Sequence, residues 1–372
     1  MSELHYPLAP YLWWAKSRRP APIDLAGSNL LHCTLDDLPG VREAIELSAP
    51  NDNGFAPLVE AIAAHYGVTA DRVVSADGCS GANFITVATL AGPGDEVLIE
   101  QPGYDPLIGA CRLMRATVRR FERRFEDGFA TDSGRLAREI SPQTRLIIVT
   151  NPHNPSGTVL GADNLEALGR VAARAGALVL VDEVYLDAAM LAAGRPPTSE
   201  SVARLGPPFI VTNSLTKSYG LAGLRNGWIV APDAATAERM RRTRDVIDNA
   251  NSAPSDRLAR LAFSELPRLA ERTRTLLSSN LREARTFFSL HPSFELAHPP
   301  ASSIVFPRLK GHADAEPFVR QLLENYGVAV APGRFFDTPA HFRVSLAGPP
   351  AALSAGLTHL SAALGRIPIE LP

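Results

Sequence analysis

Lysine is nearly absent. The 372 residues hold three of them, Lys16, Lys217 and Lys310, against thirty-four arginines. A guanidinium cannot lose its proton near neutral pH, whereas an ammonium can be tuned down to act as a nucleophile or base. A chain that otherwise uses arginine must have a reason for an amine at Lys217, within Asn213-Ser214-Leu215-Thr216-Lys217-Ser218-Tyr219-Gly220. Cysteine is as sparse. Cys33, Cys79 and Cys111 are scattered without CxxC spacing, which argues against a disulfide framework and a zinc site. The formal net charge of −2 gives no general attraction to nucleic acid or an anionic membrane. No apolar run approaches a membrane span. The stretch Met1–Pro7 has no charged region followed by an apolar one, so no signal peptide is expected and the cytoplasm is the expected location.

What is there is a large core. Hydrophobic residues make up 45% and charged residues 20%, a soluble globular balance, and the length suits two lobes. Between about 55 and 245, short Val/Ile/Leu runs alternate with helical patterns. Strands are expected at 72–75, 96–100, 145–150, 177–181, 208–213 and 227–231. One helix is expected to start with Asp163 as its N-cap and Glu166 three residues on, and to close at Gly176. Such a pattern predicts an α/β fold, a mostly parallel sheet covered by helices on both faces. A long helical stretch from about Asp256 to Phe288 leads to a smaller α+β lobe. The expected division is 1–45 as an N-terminal arm and part of the small domain, 46–275 as the large domain, and 276–372 as the small C-terminal domain. The arm, with Tyr11, Trp13 and Trp14, is expected to be extended and to need another surface over its aromatics. The alternating arginines at 119, 120, 123 and 124 read as a solvated strand face.

Four features fall at predicted strand ends, where open α/β sheets hold ligands. Asp77-Gly78-Cys79-Ser80-Gly81 is a strand-to-helix turn that can cradle a phosphate, or simply a tight turn. Asn151-Pro152-His153-Asn154-Pro155-Ser156-Gly157-Thr158 is a rigid loop with two Asn-Pro steps. Asp182-Glu183-Val184-Tyr185 closes a buried strand with a carboxylate that needs a partner, and a cationic heteroaromatic nitrogen would be one. Ser214, Lys217 and Arg225 follow the strand 208–213, and a hydroxyl with an arginine suits a phosphate oxyanion.

Taken together, NPHNPSGT, DEVY, SLTKSYGLAGLR and the late FRVS resemble the fold-type I pyridoxal-phosphate enzymes, in particular the class I/II aminotransferase family. The spacings Asn154–Asp182 (28), Asp182–Tyr185 (3), Ser214–Lys217 (3) and Lys217–Arg225 (8) are similar to the family's. The resemblance implies pyridoxal 5′-phosphate as cofactor and transfer of an amino group between an L-amino acid and a 2-oxo acid. It implies Lys217 as the internal-aldimine lysine and later the base at Cα, a role worth roughly 10²–10⁴-fold. Asp182 would hold the pyridine nitrogen protonated, and Asn154 and Tyr185 would hydrogen-bond the ring oxygen. Tyr104 would stack on the ring. Gly78, Cys79, Ser80, Ser214 and Arg225 would bind the phosphate. Arg343 would clamp the substrate carboxylate, a contact of about 1.5–3 kcal/mol, helped by a backbone N–H of Gly27 and by Asn154. A homodimer is implied. No metal, nucleic acid or membrane partner is expected.

Two departures stand out. The family often has a tyrosine near Ser48–Phe55 that reaches the partner's phosphate, and here Asn51 or Asn53 is the substitute on offer. The glycine-rich turn also carries Cys79, whose thiol is expected to be a spectator. The same lysine and aspartate serve decarboxylases, β-lyases and racemases of this fold. A carboxylate clamp favours chemistry that keeps the carboxylate. Gly78-Cys79-Ser80-Gly81-Ala82 also approaches the G-x-S-x-G elbow of serine hydrolases, although His341 and His359 are poorly placed as partners. A cofactor-free binding module would leave Lys217 and Asp182 without purpose. For the side-chain pocket, Trp13, Trp14, Phe335 and Phe336 are candidates, as are Arg244, Arg257 and Arg334 for a distal carboxylate.

Overall fold

Side chains on the central strands alternate between two cores, as the period-2 geometry of a strand requires. Ile147, Val149, Val179, Val181 and Val211 face one core. Leu146, Ile148, Leu180 and Ile210 face the other. The computed structural model describes residues 9–365 of the chain, so Met1–Pro7 lies outside the described residues. Its strands begin with β1 (Ile23–Asp24), β2 (Val73–Asp77), β3 (Glu96–Gln101), β4 (Thr117–Glu122) and β5 (Thr144–Thr150). They continue with β6 (Leu178–Asp182), β7 (Phe209–Ser214) and β8 (Asn226–Val230). Strands β2 to β8 form one seven-stranded sheet in the order β2-β8-β7-β6-β5-β3-β4. Helices on both faces shield it. Ala56–Tyr66 and Ala162–Arg174 cover one side, and Gly78–Leu90 and Asp105–Leu113 cover the other. Each large aliphatic side chain buried this way contributes about 1.5–3 kcal/mol.

All pairings in the sheet are parallel except those of β8, which runs antiparallel to β7 and to β2. Residues 215–225 between β7 and β8 are too few for a crossover to a parallel neighbour. The reversal has a functional consequence. The end of β7 (Ser214) and the start of β8 (after Arg225) lie on the same edge as the ends of β2, β5 and β6.

A second core joins Phe288, Phe294, Phe318, Phe342, Val344 and Leu357 with Leu25 and Leu30 from the N-terminal segment. Here Phe342–Ser345 is the middle of three antiparallel strands, between Ile304–Val305 and Ala331–Pro332. The β1 strand pairs parallel with Val328–Ala329.

The structure corrects several expectations. The N-terminal segment is not simply extended, because Pro10–Ser17 is a helix. Tyr11 and Trp14 are covered by the chain's own Phe335, at ring-centroid distances of 6.0 and 5.4 Å, while Trp13 stays 68% exposed. The stretch 256–288 is two helices, Ala253–Ser264 and Leu266–Leu290. Pro267 cannot donate to the preceding turn and clashes with it, so the helix breaks at Glu265. Asp163 lies in the first turn of Ala162–Arg174 without capping it, and Gly161 holds the N-cap position. The arginine run is not wholly solvated. Arg123 is 2% exposed, and its guanidinium donates to Glu100 at 2.6 Å and to the Phe129 carbonyl at 2.6 Å.

Candidate active site

A cavity of about 530 Å³ opens at the carboxyl edge of the sheet. Lys217 reaches it from the short helix Leu215–Tyr219, which starts directly after β7 because the Ser214 hydroxyl accepts from the Thr216 N–H and caps it. Gly220 in the left-handed region ends that helix, so the lysine sits on a single stiff turn. Its Nζ donates to Ser28 Oγ at 3.0 Å and Asn29 Oδ1 at 2.6 Å. Burial and the positive charge of Arg343 draw the amine down to about 7, against the pull of Asp182. A large share of it is therefore neutral at physiological pH.

Asp182 ends β6 and is 4% exposed. Its Oδ2 accepts from Asn83 Nδ2 at 2.8 Å, and its Oδ1 accepts from the Val184 N–H at 3.1 Å and the Cys79 thiol at 3.4 Å. Burial pushes its pKa up, while these hydrogen bonds and Lys217 pull it down. It forms no ion pair among the described residues, and a buried carboxylate in that position accepts a cation readily. Cys79 is thus in contact with the key carboxylate, although burial and Asp182 push its thiol well up, which leaves it unreactive as a nucleophile.

Tyr185 lies under Lys217, with the ammonium 5.9 Å from the ring centroid, and its hydroxyl donates to Ser28 Oγ at 2.9 Å. Burial pushes that hydroxyl up to about 12. Asn154 is fixed by its backbone N–H to Thr150 Oγ1 at 2.8 Å, and its Oδ1 accepts from Arg343 Nη1 at 2.7 Å. Arg343 itself is fully buried. Its Nη2 donates to the Tyr11 hydroxyl at 2.6 Å and to the Ala26 carbonyl at 3.0 Å, and its Nε has no partner among the described residues. The guanidinium thus lies against Asn154 and Tyr11, off the cavity wall. Gly27 is exposed next to Ala26, and no atom would meet a Cβ placed on it.

At the opposite end, Gly78 opens the helix Gly78–Leu90 at φ +67°, and a Cβ there would come 2.5 Å from Arg225 Nη2. A Cβ on Gly227 would come 2.3 Å from the Gly78 backbone. Only glycine at both places lets Arg225 and the helix's first N–H groups converge, which is how helix starts bind phosphate. Arg225 is otherwise weakly held, 3.9 Å from Asp77. Ser80 and Tyr104 complete this wall. A phosphate cradle, a partly deprotonated amine and a buried acid without a cation therefore share one cavity, and that donor set fits pyridoxal 5′-phosphate.

Reading the sequence missed Ser28, Asn29 and Asn83, and it named Tyr11 without giving it these contacts. Lys16 and Leu12 on the cavity wall were also missed. Hydroxyls, amides and one lysine carry no spacing signal, since what gathers them is the second core folding residues 23–30 against 328–345. The distal-carboxylate candidates are engaged elsewhere. Arg244 binds Ser75 and the Asp52 carbonyl, Arg257 pairs with Glu46, and Arg334 pairs with Glu316. The amide of Asn51 is committed to Asp256 and the Asn251 carbonyl, and Asn53 accepts from Arg242. Asn51 is thereby occupied as a donor, whereas the exposed Asn53 engages only its oxygen. Among the described residues no histidine lines the cavity around Ser80, so none of them supplies the histidine base a serine hydrolase would use.

Sheet edge and side chains define a pyridoxal-phosphate enzyme with the fold-type I layout. Comparison with known proteins agrees. The family model for aminotransferase class I and II matches residues 38–360. The chain is 30% identical to capreomycidine synthase of Streptomyces vinaceus over 96% of its own length and 94% of that protein's. It is 31% identical to a probable N-succinyldiaminopimelate aminotransferase of Mycobacterium tuberculosis over 78% and 75%. A PLP-dependent aminotransferase of Streptococcus suis superposes with a TM-score of 0.89 at 27% identity, covering all of both chains. The chain belongs to the class I and II aminotransferase family, and by family it is a PLP-dependent aminotransferase.

Proposed function

We propose that the enzyme moves an amino group between an L-amino acid and a 2-oxo acid, with Lys217 as the catalytic base. The single observation that carries this is that Lys217, the buried Asp182, Ser214 and Arg225 line one cavity, with burial drawing the Lys217 amine down. When bound, pyridoxal phosphate supplies an electron sink that makes a proton at the substrate's Cα removable. Asp182 would hold a proton at the ring nitrogen, and Asn83 and Cys79 orient that carboxylate. Gly78, Cys79, Ser80, Ser214 and Arg225 would hold the phosphate, and Tyr104 would stack on the ring. Asn154 and Tyr185 would donate to the ring oxygen. Lys217 would take the Cα proton, with Ser28 and Asn29 steering its Nζ. A neutral amine is required for that step, and an ordinary lysine near pKa ~10.4 would be almost wholly protonated. Arg343 is the carboxylate's partner once Tyr11 yields, with Gly27 and Asn154 beside it. Retaining the carboxylate favours amino transfer over decarboxylation.

The full-length likeness to capreomycidine synthase favours one further reading. In it, the same Cα proton transfer by Lys217 leads to loss of a β-substituent or ring closure instead of a 2-oxo acid. The deciding experiment offers a panel of amino donors with a fixed 2-oxo acid and assays both products, with Lys217→Ala as blank. Stoichiometric appearance of the donor's 2-oxo acid and the aminated acceptor supports transamination. Consumption of donor without either product overturns it.

We also take residues 46–275 as the cofactor-binding lobe, with 276–372 and much of 1–45 as the second lobe. The helix Leu266–Leu290 crosses that border. A homodimer in the cytoplasm completes the proposal. Exposed Trp13, Leu35 and Leu47, at 68%, 69% and 84%, are apolar surface such a dimer would cover. The three cysteines are all free, which suits a reducing compartment. No described helix is long and apolar enough to cross a membrane.

A further inference from the structure

We propose that Lys16 selects substrates with an anionic side chain, so that the favoured amino acid or 2-oxo acid carries a carboxylate or phosphate besides its α-carboxylate. This rests on the amino-transfer reading of the same cavity.

Among the described residues, four charged side chains line the cavity, namely Lys16, Asp182, Lys217 and Arg225. The cofactor's nitrogen, aldehyde and phosphate account for the last three. Lys16 remains, exposed and without an ion pair or hydrogen bond among the described residues. It does not enter by chance of a floppy surface. Leu12 and Lys16 are one turn apart on the helix Pro10–Ser17 and both face the cavity, as i and i+4 positions must. Tyr11, on the other side of that helix, fixes its placement. Its backbone N–H donates to Asp105 Oδ2 at 2.7 Å, its hydroxyl donates to the Ala26 carbonyl at 2.9 Å, and the same hydroxyl accepts from Arg343 at 2.6 Å. The backbone of Lys16 therefore has a set position relative to the expected α-carboxylate site. It lies five residues, about 7.5 Å along the axis, beyond the tyrosine that touches Arg343.

The remaining wall decides the sign of the ligand. Asp182 is the one acid on it among the described residues, and it is committed to the ring nitrogen. A guanidinium or ammonium side chain would meet Lys16 with no counter-charge. An anionic one would meet the single uncommitted cation, with Leu12 covering the methylenes between. The arginines that sequence alone offered for this task, Arg244, Arg257 and Arg334, are all bound elsewhere.

The test uses the holoenzyme and two dead-end ligands of equal chain length, glutarate and pentanoate, titrated by calorimetry at low and high salt. Glutarate is expected to bind about fivefold or more tightly in the wild type, near the upper end of what a partly exposed ion pair contributes. The preference should shrink as salt rises. Lys16→Met should remove it while leaving pentanoate binding within about twofold, and Lys16→Glu should reverse it. A Lys16-dependent gain larger for 3-phosphonopropanoate than for glutarate would identify phosphate as the favoured anion. Equal binding of glutarate and pentanoate by the wild type overturns the proposal, as does a preference that survives in Lys16→Met. Because binding is read without turnover, failure of amino transfer itself shows separately, as absence of 2-oxo acid from every donor.

Discussion

Arg343 of the C-terminal strand Phe342–Ser345 donates to Asn154 of the loop after β5 at 2.7 Å. The group assigned to the substrate's carboxylate and the amide assigned to the cofactor's ring oxygen thus share one hydrogen bond. Binding at one is felt at the other. The Nε of Arg343 has no partner among the described residues, and an unmade hydrogen bond on a buried charged group is costly.

Arg343→Lys should keep the positive charge and lose the planar fork. The expected outcome is a fall in kcat/KM for amino donors of roughly 10- to 150-fold, carried mainly by KM, from about 1.5–3 kcal/mol of charge-assisted bonding. The visible absorbance of bound cofactor should persist. Steady-state kinetics with an unchanged KM would remove Arg343 from the substrate site.

Lys217→Ala and Lys217→Arg should both lack the cofactor's characteristic visible absorbance and lose turnover by at least roughly 10²–10⁴-fold. The arginine variant is the sharper probe, because it restores charge but cannot be deprotonated. Near wild-type rates in either would overturn the mechanism.

Cofactor capture by the apoenzyme should depend on pH with a midpoint near 7. Only the neutral amine is a nucleophile, and Lys217 is drawn down to about 7 from the usual lysine value. The rate should therefore rise through pH 7 and level off above it. The depressed amine also carries a stability signature. The unfolded chain holds that proton more firmly between pH 7 and ordinary lysine values, so stability rises with pH across that window and the penalty is fully present below it. Stopped-flow absorbance of apoenzyme mixed with pyridoxal phosphate tests the first claim. A midpoint near pH 10 would show that the cavity does not tune the lysine.

Asn83→Ala should weaken Asp182 without touching the cofactor. It removes the donor to Asp182 Oδ2 and also the acceptor of the Thr212 hydroxyl, at 2.6 Å. Leaving two buried polar groups unpaired costs about 1–3 kcal/mol each. Thermal unfolding should show a lower Tm for apoenzyme and holoenzyme alike, with partial activity retained. Wild-type stability in both forms would show that Asn83 is dispensable.

The parallel sheet and most of the cofactor end were readable from sequence, because strand ends and their motifs are local. Asp182 follows a near-continuous apolar run, and Lys217 follows another. Three things were not. Pro267 is the third residue of an otherwise helical text after Ser264, and its break looked like continuity in a charged, periodic stretch. Arg123 reads like its solvated neighbours until Glu100, on the adjacent strand, is seen to bury it. Ser28, Asn29 and Lys16 belong to a segment whose place is fixed by pairing with residues about three hundred positions away, and no local pattern encodes that distance.

The order of the parts along the chain also sets an order in time. The residues assigned to the cofactor, from Gly78 to Arg225, leave the ribosome before the strand bearing Arg343. The helix with Tyr11 and Lys16 is made first, but the Phe335 and Arg343 it packs against are made near the end. The substrate end of the cavity is thus the last part that can be assembled.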